Sequence, residues 1–197
     1  MASEGRKPDR RVQRSRSALL SAAVRLVSER GTTAVSVAEF ADAANVSRQL
    51  VYLQFGDRDA LLVDAAVDLV RRELIPKIEQ GNADERAMIL ATTRHFAQHR
   101  PFYRAMLTGS CAFAMARMLG TSFKGLTEQA ARAHFGKLDA QTESDLAVLL
   151  AAGVNAITNN WLIEGDDPLV PEELADRLAR VSTVLAGLRR PSKRAAR

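Results

Sequence analysis

Arg48, Gln49, Tyr52 and Leu53 lie within a stretch of six residues and are spaced to share the outer side of a short helix. An arginine there can take guanine through O6 and N7 with its planar fork, or hold a phosphate, and a glutamine can take adenine through N6 and N7. Leu53 suits either a thymine methyl group or a core, and Leu50 suits a core. Chemistry of this kind needs a scaffold, and the residues around it supply one. Ser36 followed by Glu39 is a capping box for a first helix, from which Ser36 can also donate to a phosphate. Val37, Phe40, Ala41 and Ala44 recur at helical spacing on one face. Asn45 tolerates the left-handed backbone of a sharp turn. Ser47 then caps a second helix, in which Val51 and Phe55 face inward with Val46. Two short helices joined in this way form a helix-turn-helix, whose second helix enters the DNA major groove.

The rest of the chain bounds that reading. Its 197 residues are 47% hydrophobic, enough for one large domain or two small ones. Aromatic residues make up 5%, alternating runs are absent, and Ala, Leu, Arg and Glu dominate, so an all-α protein is expected. No apolar run is expected to reach the roughly 20 residues of a membrane span. The sequence MASEGRKPDRR lacks the apolar stretch of a secretory signal, and Cys111 stands alone, which fits a reducing cytoplasm. Cys111 suits a core better than a redox sensor, having no neighbouring cation to lower its pKa. The net charge of +5 is concentrated at the ends. From Met1 to Ser17 six basic residues face two acids, and from Arg189 onward five face none. The first cluster, Arg10 and Arg11 included, is either a phosphate-binding arm or a solvated tail, and the second is open in the same way.

Along the chain, the spacing predicts a helix over Arg14–Arg30 ended by Gly31, then the helix-turn-helix. Asp57 caps a long fourth helix over 57–78, with Pro76 as a stop or kink. Asn82 to Glu85 reads as a second capping box opening a helix through Phe96 and His99. A short helix follows at PFYRAML, and after Gly109 an apolar stretch runs to Leu126. Asp139 or Thr142 opens a helix to about Ile163, and Pro171 opens a last one to Leu188. The expected organisation is a basic disordered arm at 1–13, a DNA-binding domain at 14–56 with its connecting helix, a helical domain at 79–188, and a basic disordered tail at 189–197. His95 and His99 share a helix face, but HFAQH lacks the glutamate of a zinc protease helix. No phosphate loop or nucleophile elbow is present, so no catalytic residue, metal ligand or cofactor is assigned.

The run from Ser17 to Val70 resembles the DNA-binding head of the TetR family of transcriptional regulators. The matching residues are Ala22-Ala23, Leu26 to Gly31, Ser36, Phe40-Ala41, Ala44, Val46-Ser47, Tyr52, Phe55, Asp57-Arg58-Asp59 and Leu61-Leu62, about a quarter of the chain. Asn45 stands where the family usually has glycine, Gln54 where it often has histidine or tyrosine, and Arg58 where it has lysine. The resemblance implies a homodimeric, ligand-responsive repressor or activator, with a repressor favoured, that binds a palindromic operator and is released by a small, apolar effector. It implies that Tyr52 bonds a phosphate, with Arg58 either a phosphate clamp or a solvated charge. It places Phe96, Phe102, Met106, Phe113, Met115, Met118, Phe123 and Trp161 in the helices around the effector pocket, as walls or as core. Thr92, His95, His99, Asn155, Asn159 and Asn160 are the polar groups in those segments. It also implies that the last two helices pair with their copies in a second subunit, through Leu146, Leu149, Leu150, Gly153, Val154 and Ile157. A DNA-binding dimer without an effector, and a helical ligand carrier or metal-dependent enzyme, are the other readings.

Overall fold

A computed structural model describes residues 10–80, 84–122, 132 and 138–187. Among the described residues every regular element is a helix. In chain order they are α1 (Arg10–Arg30), α2 (Val37–Ala43), α3 (Arg48–Phe55), α4 (Arg58–Leu69), a π-turn (Val70–Leu74), α5 (Ile75–Gln80), α6 (Glu85–Gln98), α7 (Arg100–Thr108), α8 (Ala112–Ser122), α9 (Ala140–Glu164) and α10 (Pro171–Gly187). The chain divides into two compact units, one of Met1–Ile75 with His99–Met115, the other of Pro76–Gln98 with Ala116–Arg197.

The first unit is built on α1. Leu19, Leu20, Ala22, Ala23, Leu26 and Val27 form its buried stripe, which packs on α2, α4 and α7. Phe40, Val51, Leu61, Leu62 and Leu69 close the core from the other helices. Each such large side chain contributes about 1.5–3 kcal/mol on burial. The helix begins at Arg10, four residues before its expected start, so Arg10–Gln13 are the first turn of α1 and not part of a disordered arm. Residues 1–9 and the tail from 188 onward lie outside the described residues.

The compact units do not follow chain order alone. Residues 99–115 were expected in the effector domain, yet α7 packs against α1 and places Phe102, Tyr103 and Met106 fully buried in the first unit. The turn after α7 seats on the loop following α1. A Cβ on Gly109 would stand 2.2 Å from Thr33 Oγ1, closer than any real contact, so only glycine fits there. Pro76, expected as a stop or kink, ends nothing, because α5 continues to Gln80. Proline has no N–H and crowds the carbonyl four residues back. The turn before it widens accordingly, and Ile75 N–H donates to Val70 O in the π register.

In the second unit α6 packs against α10, and two ion pairs join them: Arg94–Glu172 at 2.8 Å and Arg86–Asp176 at 2.9 Å. The Arg94 guanidinium holds the Glu172 carboxyl below its ordinary pKa. Phe96, Trp161, Leu162 and Leu174 are buried. Asp84 accepts from Ala87 N–H at 3.1 Å at the start of α6. Asn82 lies outside the described residues. Asp139 caps α9, accepting from Thr142 N–H at 3.0 Å. The expectation on membrane spans needs correcting. From Leu146 to Ile163 no charged residue occurs, and α9, at 25 residues, is long and apolar enough to cross a membrane by length and composition.

Candidate nucleic-acid interface

The recognition helix is held at both ends by local bonds. Upstream, Ser36 caps α2 from an extended backbone, and the capping box is complete: Glu39 N–H donates to Ser36 Oγ at 3.3 Å and Ser36 N–H donates to Glu39 Oε2 at 2.9 Å. Ser36 O–H donates to the same carboxylate at 2.7 Å, so the hydroxyl proton is directed into the box. Arg30, at the end of α1, pairs with Glu39 at 2.5 Å. These bonds, led by those from Ser36, lower the Glu39 pKa from 4.5 to about 2.

The turn between the helices is a Schellman motif. Asn45 N–H donates to Asp42 O at 3.1 Å and Val46 N–H to Ala41 O at 2.9 Å. That pattern requires a left-handed residue, and Asn45 has φ 53°. Ser47 then caps α3 by accepting from Leu50 N–H at 3.3 Å. At the far end Gly56 takes φ 84° and donates to Tyr52 O, and Asp57 caps α4 by accepting from Ala60 N–H at 2.7 Å.

With α3 fixed in this way, Val51 and Phe55 are buried while Arg48 and Gln49 are exposed, Tyr52 is 55% exposed and Leu53 80%. An exposed leucine and tyrosine side by side on a charged head are costly in water, and they fit a surface that meets a partner. The helix contains no acid, and among the described residues Arg48 has no ion-pair partner. Arg58 and Arg16 of the first unit are more committed. Arg58 donates to Asp59 Oδ1 at 2.8 Å and to Ser110 Oγ at 3.0 Å, so its guanidinium is turned toward the α7–α8 turn. Arg10 and Arg11 are exposed on the first turn of α1. Arg16, counted in the basic cluster, is directed inward to Asp64, Gln54 and Phe55. Its sequence signal was present: Arg16 falls on the buried stripe one turn before Leu19, Leu20 and Ala23.

The expected effector residues fall in both units. Met106 is buried in the first unit, and Phe113 is 76% exposed. Thr92, Phe96, Met118, Asn155, Asn159 and Trp161 belong to the second unit. Phe96 and Trp161 are buried there, Thr92 bonds its own helix at Met88 O, and Asn159 Oδ1 is buried without a hydrogen-bond partner. Phe123 lies outside the described residues. Burial holds the Cys111 thiol above its ordinary pKa, as befits a core cysteine.

Comparison with known proteins agrees with this geometry. Residues 19–65 match the family model for bacterial regulatory proteins of the tetR family. A search of curated proteins returned no match. Among solved structures, a Rhodococcus sp. protein assigned to the TetR family of transcriptional regulators superposes with a TM-score of 0.62 at 21% identity, over 88% of this chain and 99% of that one. The fatty acid degradation regulator FadR from Bacillus halodurans gives 0.59 at 17%, over 88% and 99%. NalD, the secondary repressor of a multidrug efflux pump in Pseudomonas aeruginosa, gives 0.55 at 20%, over 88% and 96%. Residues 19–65 thus carry the helix-turn-helix head of bacterial regulatory proteins of the tetR family, and the chain shares the all-α fold of the solved structures it resembles.

Proposed function

We propose that two copies of this chain bind a palindromic operator as a cytoplasmic repressor, released by a small, apolar effector. The observation that carries the reading is the outer face of α3, where Arg48, Gln49, Tyr52 and Leu53 stand exposed on a helix fixed by caps at each end. Arg48 and Gln49 are in its first turn, where base edges are reached; Tyr52 and the α1 start, Arg10 and Arg11, supply phosphate contacts. Arg58 is a weaker candidate, since reaching a phosphate means leaving Ser110.

Dimerisation is supported by α9 and α10. Of the apolar side chains of α9 only Ala147, Trp161 and Leu162 are buried. Leu149 is 66% exposed, Val184 of α10 is 65% exposed, and Val148, Val154 and Val181 are exposed with them. Stable interfaces bury about 800 Å² per partner with an apolar centre, and these side chains are the apolar surface that such a centre needs. The effector reading rests on the second unit, where the buried Phe96 and Trp161 and the unpartnered Asn159 Oδ1 offer apolar walls and a polar anchor. A library of lipophilic small molecules, screened by thermal shift and then by anisotropy on a bound duplex, tests the response. A compound that stabilises the protein and releases the DNA supports it; stabilising compounds that leave DNA affinity unchanged favour an effector-free dimer.

A further inference from the structure

We propose that Arg16 is a positioning residue for the recognition helix, acting through the last turn of α3, and not a phosphate contact of the basic arm. The inference rests on the DNA-binding role of α3. Three elements meet at this side chain. From α1, Arg16 Nη2 donates to Asp64 Oδ2 of α4 at 2.5 Å. Nη1 reaches the Gln54 carbonyl, in the last turn of α3, at 3.4 Å. The guanidinium carbon stands 4.4 Å from the ring centroid of Phe55, the buried residue that seats that turn.

Both ion-pair partners are about two-fifths exposed, so solvent screens the pair and its worth to stability is small. Its geometry is more consequential. A planar guanidinium can stack on a ring and donate in two directions from its edge, which a lysine ammonium cannot reproduce. Asp64 fixes the fork, the fork fixes the C-terminal turn, and the base-reading side chains are at the other end of the same helix. At 1.5 Å per residue α3 is about 12 Å long, so a tilt of about 10° at Phe55 moves Arg48 by about 2 Å. That displacement exceeds what a bidentate contact to a base tolerates.

The test uses the full chain and the duplex that the wild type selects most strongly from a random pool, with a scrambled duplex for non-specific binding. Arg16→Lys keeps the charge and loses the fork; Asp64→Asn keeps Arg16 and releases it. We expect both variants to lose about tenfold in affinity for the selected duplex while binding the scrambled one as the wild type does, with the same salt slope and unchanged melting temperature. A phosphate-contact role gives the opposite pattern: Arg16→Lys binds as wild type, Asp64→Asn binds both duplexes more tightly, and Arg16→Ala lowers the salt slope by about one. That pattern, or unchanged specificity in both variants, overturns the proposal. Failure of the wild type to select any duplex overturns instead the DNA-binding role on which it rests.

Discussion

Gln54 offers a stability gain that the fold itself exposes. It lies in the last turn of α3, and both of its amide atoms, Nε2 and Oε1, are buried without a hydrogen-bond partner. A buried polar group left in that state costs about 1–3 kcal/mol relative to its hydrated state in the unfolded chain. Methionine has the same length, nearly the same helix propensity and no polar group to desolvate. Gln54→Met therefore removes a cost and fills the same space. Because neighbouring side chains can relax toward the amide, the expected gain is about 1–2 kcal/mol and not the sum for two atoms. For a chain of this size that corresponds to a rise of about 2–8 °C in melting temperature. Thermal unfolding followed by circular dichroism reads it, with Gln54→Glu as the opposing control, since a buried carboxylate costs more than a buried amide. DNA affinity should be retained, because Arg48, Gln49 and Tyr52 are untouched. A melting temperature for Gln54→Met at or below that of the wild type would refute the reasoning, by showing that the amide is satisfied in solution.

Other expectations follow from the same geometry. Asn45→Ala should destabilise the head by about 1 kcal/mol, because alanine resists the left-handed backbone of the Schellman turn, whereas Asn45→Gly should be nearly neutral; thermal melts of the two separate backbone strain from lost side-chain contacts. The Glu39 carboxyl should titrate near 2 by carbon-detected NMR, so the folded state has the full gain from its ionisation above pH 4.5, loses it progressively as pH falls from there, and has none left below about 2; a midpoint near 4.5 would mean that the capping box is open. Tyr52→Phe should weaken binding to all duplexes by about tenfold, as loss of one phosphate bond does, and a change in sequence preference would contradict that role. Leu149→Glu should convert a dimer to a monomer by light scattering without unfolding either unit; a variant that stays dimeric would move the interface elsewhere.

What could be read from the sequence was local. The Ser36–Glu39 box, the Asn45 turn, the Ser47 cap and the Asp57 cap all join residues a few positions apart, so residue type and spacing are nearly sufficient to specify them. Contacts between distant residues left fainter traces. Arg58 and Ser110 meet across 52 positions, and nothing in either neighbourhood announces the other. The placement of α7 in the first unit depends on Gly109 fitting against Thr33, a matter of shape that no periodicity records. Arg16 is an intermediate case. Its place on the buried stripe of α1 was visible, but the basic residues around it suggested a solvent-facing arm. The effector side was the least legible, because an apolar side chain in a helix has the same signature whether it lines a cavity or fills a core.

The claim that this chain reads DNA as a symmetric pair is tested most directly by selecting duplexes from a random pool with the intact protein and footprinting the winners. The expected winner is a palindrome whose half-sites are centred about one helical turn, 34–36 Å, or a multiple of it apart. Protection should cover both half-sites together, and substitution of Arg48 should relax preference at the same position in each. Selection of no common sequence, or of a single asymmetric half-site bound by one copy, would contradict it.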